Sequence, residues 1–284
     1  MDETSGASKT AMMVAAYRAR ATARPDPICR DPWAETLAGA RGEALARAFD
    51  DKFAHMELWM ALRTAYLDGH VRRWTGAPHR FGQVVVLGAG LDTRAARLAA
   101  AGVRFFEVDH PATQAHKRDQ LAAADGYPVD AATYVPCDFE RGDDFVDQLA
   151  TGGFDPAAPA VVIWEGVTAY LTEPAVRATA RRIATGMHER TILLFDHVGK
   201  RMGAGEKIRG RDRDTRDYVD DLGEPLRFGS DHTLPLLYDE GFRWVRQLTF
   251  DEICLDFTGS YAREREFRFQ YISLASRTEP PGVL

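Results

Sequence analysis

The 284-residue chain predicts an α/β fold: a doubly wound, mostly parallel sheet of seven strands, with an N-terminal helical extension and a lid insertion. Three observations predict it. From residue 83 onward, apolar strand-like runs alternate with capped helical segments, the rhythm of parallel strands joined by crossover helices. The stretch "QVVVLGAGLDTRAARL" passes from such a strand through Gly88-Ala89-Gly90 into a helix. The first 80 residues carry helical spacing without a comparable strand.

The extension holds three predicted helices. Residues 10–20 form the first, ended by "RPDP". Asp31-Pro32 is an N-cap and first-turn pair opening a second, which runs to about Phe49. The third covers about 53–74, where Phe53, Met56, Met60, Leu67, Val71 and Trp74 make an apolar stripe. Arg63 fills a gap in that stripe, and a cation on a buried face needs an anion, either an internal carboxylate or a ligand's.

The sheet follows. A strand at 84–87 leads to a helix at 92–101 stopped by Gly102, and a strand at 103–108 to a helix begun by Asp109-His110-Pro111. A short strand at 133–136 precedes a helix at 144–150. The strand at 160–164 is apolar throughout, as a central strand covered on both faces should be. Thr172 caps the next helix, Gly186 ends it, and 191–197 is the fifth strand. Residues 199–232 then break the rhythm with eight basic and eight acidic side chains, a balance unsuited to phosphate backbones. They form either a mobile loop or a helical lid, and their place beside the sheet favours the lid. The chain closes with a helix ending at Gly241, a strand, a long loop and a last strand.

Composition narrows the function classes. Hydrophobic residues at 45% and charged residues at 27% describe a soluble globular protein, and a net charge of −6 offers no general attraction to nucleic acid or anionic membrane. No apolar run approaches the ~18 residues of a membrane span, and "MDETSGASK" lacks the basic start of a signal peptide. Cys29, Cys137 and Cys254, odd in number and far apart, are expected as reduced thiols of a cytoplasmic protein. No His, Asp or Glu cluster has metal-ligand spacing, so no metal is expected, and neither a Gly-x-Ser-x-Gly elbow nor a Walker motif occurs.

The chemistry-bearing residues gather around the glycine turn. Gly88 and Gly90 let the backbone approach a ligand, and Asp109, 21 residues beyond Gly88 at the end of "FFEVDH", can accept both hydroxyls of a ribose. The pattern lacks the third glycine of a dinucleotide fingerprint and leaves NAD and S-adenosylmethionine both open. Three further features favour the second. "PCDFE" sets Asp138 where a carboxylate can meet an adenine amino group. "VVIWEGVTAYL" sets Trp164 and Glu165 at the carboxyl end of the fourth strand, an aromatic face and a carboxylate that suit a sulfonium better than a pyrophosphate. "DEGFRWV" before a terminal strand pair matches the closing hairpin of class I methyltransferases.

The stretches "TAMMVAAYRARATARPDPICRDPWAETL", "LGAGLDTRAARL", "FFEVDHPATQAHKR" and "WEGVTAYLTEPAV" resemble the leucine carboxyl methyltransferase family. The likeness is stronger to its bacterial branch of S-adenosylmethionine-dependent O-methyltransferases, which includes polyketide-tailoring enzymes, and runs from about residue 8 to 276. It implies a Rossmann-like class I methyltransferase domain over 81–284, with the lid at 199–232 and a helical cap over 1–80. It implies S-adenosyl-L-methionine as donor and S-adenosyl-L-homocysteine as product. The family's carboxylate-binding arginine falls on Arg63, its glycine turn on Gly88 and Gly90, and its ribose acid on Asp109. Its adenine-side acid falls on Asp138 with Phe139 beside the ring, its acid after the fourth strand on Glu165, and an N-terminal basic residue on Arg18 in a flap-like helix. Eukaryotic members recognise a protein phosphatase C-terminus, but this lid shows no match to theirs, so the acceptor does not carry over.

The expected reaction is O-methylation, forming a methyl ester on a carboxylate of a small molecule or polyketide-like natural product. Neither nucleic acid nor membrane is expected as a partner, and monomer and homodimer both stay open. A carboxylate is already anionic at pH 7 and needs no base, whereas a phenol would need one. His197 and His232 are the candidate bases, against structural or surface roles. Tyr170 is a candidate hydrogen-bond donor to the acceptor, against a packing role before the Thr172 cap. An NAD-dependent oxidoreductase and a non-catalytic cofactor-binding module are the competing classes.

Overall fold

A run of valines with no polar interruption can be strand only where both faces are covered, and "QVVVL" sits accordingly at the middle of the sheet. The computed structural model describes residues 8–53, 55–122, 124–139, 144–205, 208, 210–260 and 269–280. Seven strands, β1 (Gln83–Leu87), β2 (Arg104–Asp109), β3 (Ala132–Pro136), β4 (Val161–Trp164), β5 (Ile192–Val198), β6 (Trp244–Thr249) and β7 (Gln270–Ser276), form one sheet in the order β3-β2-β1-β4-β5-β7-β6. The first five run parallel, and β7 enters antiparallel between β5 and β6. The order reverses between β1 and β4, so the carboxyl ends of those strands open a crevice.

The extension consists of α1 (Lys9–Thr22), α2 (Ala34–Asp50) and α3 (Met56–Thr75). Met60, Leu67, Val71 and Trp74 are buried in the core on one face of the sheet, together with Met12, Met13 and Tyr17 of α1. Asp31 does not cap α2 as its position suggests. The helix starts at Ala34 with no side-chain cap on its own amides; Asp31 Oδ1 accepts the Trp33 amide ahead of it at 3.3 Å, and Oδ2 meets Arg18 Nε at 2.9 Å. The opposite face of the sheet is covered by α6 (Phe145–Thr151), capped by Asp144, and α7 (Glu173–Gly186), capped by Thr172.

Two predicted elements differ. The helix expected over 92–101 is a single turn, α4 (Arg94–Arg97), and Leu98 already leaves helical geometry. Its two arginines are anchored to Asp68 on α3, which holds the turn against the extension. The long loop expected after β6 contains α11 (Phe250–Thr258), opened by a capping box in which Thr249 and Glu252 satisfy each other's backbone amides. The remaining helices are α5 (Pro111–Ala122), α8 (Lys200–Ala204), α9 (Arg211–Asp221) and α10 (Leu234–Asp239). Among its described residues the charged insertion thus carries α8 and α9. Arg216 binds its parts together by donating to the carbonyls of Met202, Gly203 and Leu226 at 2.6 to 2.9 Å.

Candidate functional site

At the crevice the chain encloses a cavity of about 480 Å³. Gly88 starts the turn after β1 at φ +63°, where its amide donates to Val108 on β2 at 2.7 Å. A side chain there would lie 2.4 Å from Val167 Cγ2, so only glycine fits without displacing the loop after β4. The Gly90 amide donates to Asp109 Oδ2 at 2.5 Å, and the His110 amide to Oδ1 at 2.6 Å. Burial raises the Asp109 carboxyl above its ordinary value, and these two amides work against it.

Ten of the twelve residues singled out for the site in the sequence line this one cavity: Arg18, Arg63, Gly88, Gly90, Asp109, Asp138, Phe139, Glu165, Tyr170 and His197. Asp138 follows β3 beside Phe139, whose ring packs on Phe145 and Trp164. One of the other two, His232, is exposed at the end of the charged insertion and lies outside the cavity lining. Trp164 also departs from expectation. Its side chain turns into the core, 1% exposed, against Phe139 and Phe195, so it offers no face to a ligand. The cavity's tryptophan is Trp59 of α3.

Arg63 projects from α3 beneath the loop after β4. Its Nε lies 2.8 Å from Glu165 Oε1 and its Nη1 2.6 Å from Asp196 Oδ2. Among the described residues its Nη2 makes no hydrogen bond, and this guanidinium lines the cavity. Asp196 also accepts from the Gly166 amide at 2.6 Å, and its carbonyl from Thr168 Oγ1 at 2.6 Å, fastening the loop after β4 to β5. Arg94 reaches Glu165 Oε2 at 2.6 Å and Asp68 at 2.7 Å, and also pairs with Asp92. Burial pushes the Glu165 carboxyl up, but Arg94 and Arg63 outweigh it and hold the group below its ordinary value.

With Arg97 and the Arg18–Asp31 pair, these contacts form one continuous chain of four arginines and five carboxylates, of which Arg18, Arg63, Asp92, Glu165 and Asp196 line the cavity. Its excess of one negative charge suits a cationic ligand. Asp196 and Arg94 were missed in the sequence. An acid closing the apolar run "ILLFDHV" is a legible signal, whereas nothing local distinguishes Arg94 from Arg97.

Beyond the glycine turn the walls become apolar: Met13, Met56, Trp59, Met60, Met202 and Leu226 among others. His197 lines this part with its ring stacked on Tyr271 and its Nε2 3.0 Å from Ser273 Oγ. Burial pushes its pKa down to about 4, partly offset by backbone hydrogen bonding at Val198 and Ser230. Burial pushes the Tyr170 hydroxyl up to about 12, and the charge of Glu224 adds to this, so Tyr170 is a proton-bearing donor at neutral pH. Among the described residues no group of three or more His, Cys, Asp or Glu side chains is placed to hold a metal ion, and no helix is long and apolar enough to cross a membrane. All three cysteines are buried thiols outside any disulfide.

The strand order, the antiparallel β7 and the crevice at the switch point define the class I methyltransferase fold, Rossmann-like in its parallel half. The chain belongs to the leucine carboxyl methyltransferase family, whose sequence profile matches residues 11–184. Relatives from Mycolicibacterium paratuberculosis and Mycobacterium tuberculosis carry the provisional name S-adenosyl-L-methionine-dependent methyltransferase. The first is 36% identical over 182 residues, 60% of this chain and 59% of its own. The second is 36% identical over 199 residues, 66% of this chain and 63% of its own. The chain thus spans about 60% of the length of the curated relatives it matches. Among solved structures, a DUF574 family protein from Streptomyces avermitilis superposes with a TM-score of 0.64 at 13% identity, covering 93% of this chain and 97% of its own. A provisionally named methyltransferase from Thermobifida fusca gives 0.63 at 14% identity, covering 97% and 96%.

Proposed function

We propose that the protein is an S-adenosyl-L-methionine-dependent O-methyltransferase that esterifies a carboxylate on a small, largely apolar molecule. One observation carries the reading: a single cavity joins the glycine turn, Asp109, Asp138, Glu165 and the partly uncommitted Arg63 to an apolar chamber. The family membership and the names of the mycobacterial relatives support the same donor.

The residues present fit that donor. Asp109 would take the ribose hydroxyls, Asp138 and Phe139 the adenine, and Arg63 the donor's carboxylate through its remaining nitrogen. Glu165 and Asp196 would supply negative charge near the donor's cationic end. Bound there, S-adenosyl-L-methionine supplies an electrophilic methyl group on sulfur. Glu165 is held ionised by its two arginines, so its charge is in place before any ligand arrives. The apolar walls exclude water, which would otherwise stabilise an anionic acceptor and the cationic donor apart.

His197 supports a carboxylate over a phenol. With a pKa of about 4 it is a poor acceptor for a phenolic proton of pKa about 10. Tyr170 can donate to one acceptor oxygen while the other faces the methyl group.

Titration calorimetry with S-adenosyl-L-methionine, S-adenosyl-L-homocysteine and NAD tests the reading. Binding of the first two without NAD is expected; NAD binding with neither of the others overturns it. Turnover on any carboxylate acceptor should then be flat from about pH 6 to 9, because the acceptor is ionised throughout.

A further inference from the structure

Helix α1 lies directly on the glycine turn. A side chain on Gly90 would come within 3.5 Å of Ala11 Cβ, and the Arg18 guanidinium donates to the Leu91 carbonyl at 2.6 Å. Ala11, Met13, Val14 and Arg18 all line the cavity, so α1 is one of its walls.

The start of α1 is held from across the cavity. Glu224, at the end of the charged insertion and 215 residues away in sequence, accepts the Lys9 amide on Oε1 at 2.8 Å. The Thr10 amide reaches the same oxygen at 3.4 Å, and Ser8 Oγ reaches Oε2 at 3.1 Å, with Thr10 Oγ1 also donating to Oε2. The helix already has its own cap, since Ser8 Oγ accepts the Ala11 amide at 3.0 Å. Glu224 therefore adds a second, imported carboxylate at the positive end of the helix dipole. Ser8, Thr10 and Glu224 themselves line the cavity.

The root of this contact is firm. The amides of Arg227 and Phe228, just beyond Glu224, donate to the Ala169 carbonyl at 2.7 and 3.1 Å, and the Ser230 amide donates to Val198 at 2.8 Å. The carboxylate is thus fixed to the sheet's own loops and grips the start of α1.

We propose that Glu224 is a positioning residue: it latches α1 over the cavity, and the latch must part for the nucleoside ligand to enter or leave. It acts through α1 and touches no reacting atom. The inference rests on the donor assignment above for the identity of that ligand, though not for the latch itself.

Two measurements on the full chain test it, using Glu224→Ala, Glu224→Gln and, as a control, Glu252→Ala, which removes a comparable cap from α11 away from the cavity. Hydrogen exchange of the ligand-free protein should show the Lys9 and Thr10 amides opening about tenfold faster in Glu224→Ala, as for loss of hydrogen bonds to a charged group, and unchanged in Glu252→Ala. Stopped-flow release of S-adenosyl-L-homocysteine should be about tenfold faster in Glu224→Ala. Glu224→Gln should fall between, because its amide oxygen still accepts hydrogen bonds but carries no charge. Unchanged exchange overturns the latch, as does release unchanged in Glu224→Ala or equally accelerated in Glu252→Ala. If the wild-type chain binds no S-adenosyl-L-homocysteine, the donor assignment fails, and the exchange result alone supports or overturns the latch.

Discussion

Asp196 and Arg63 meet at 2.6 Å in the floor of the cavity, one from the end of β5 and the other from the middle of α3. The contact joins the sheet to the helical extension at the point where a ligand would sit. Among the described residues it leaves Nη2 of Arg63 without a hydrogen bond, and in the proposed function that nitrogen would take the donor's carboxylate. Replacing Arg63 with Met should destabilise the fold by about 3–5 kcal/mol, the cost of leaving a buried charge unpartnered. Asp196→Asn added to Arg63→Met should recover part of the loss, and urea unfolding of the four-protein cycle measures the coupling. A coupling near zero would show that the pair is energetically idle.

Gly88→Ala combines a left-handed backbone with a contact of 2.4 Å to Val167. It should cost about 1–3 kcal/mol of stability and weaken binding of S-adenosyl-L-homocysteine. Adding Val167→Ala removes the contact but not the backbone strain, so melting temperature should return only in part. Full return would assign the whole effect to the contact.

Asp109→Ala should weaken S-adenosyl-L-homocysteine binding by about 2–3 kcal/mol, the range for hydrogen bonds to a charged group. Asp109 also accepts from the Gly90 amide, so loss of the carboxylate should loosen the turn as well as remove the proposed ribose contact. Calorimetry reads the affinity, and an unchanged value would take Asp109 out of the site.

His70 stacks on Trp74, and burial, helped by the charges of Arg73 and Arg246, depresses its pKa from 6.5 to about 4. Between pH 6.5 and 4 the unfolded chain therefore binds a proton that the folded chain refuses, and stability falls as pH falls through this window. His197 behaves alike, while Glu107, raised to about 7 by burial, contributes the opposite slope. His70→Phe keeps the stacking and removes one titrating group. Across pH 4.5–6.5 its stability should lose about 1.4 kcal/mol less per pH unit than wild type. Urea midpoints at several pH values check this, and parallel pH profiles would refute it.

Much was legible in the order of the residues. Unbroken apolar runs forced the central strands, because only a doubly covered strand tolerates them. Thr172 and Asp144 announced their helices by chemistry that acts within three residues. Gly88, Gly90 and Asp109 could be read together because a strand–turn–helix–strand unit places them by local geometry alone. The Thr249-x-x-Glu252 box was equally local and marks α11, which the pattern of the loop had concealed.

Charge pairing was not local. The acids near Arg63 in sequence are Glu57 and Asp68, yet its partners are Glu165 and Asp196, brought to it by strand order and the crossing of α3. Asp31 looked like a helix cap and became the partner of Arg18; Trp164 looked like a ligand's wall and became core. His232 and Glu224 stand eight residues apart in one run of charges, and only the path of that insertion leaves the first in solvent and sets the second against α1. Periodicity and capping depend on neighbours along the chain and survive in the sequence. Which buried charge faces which depends on distances across the fold, and those exist only once the chain has packed.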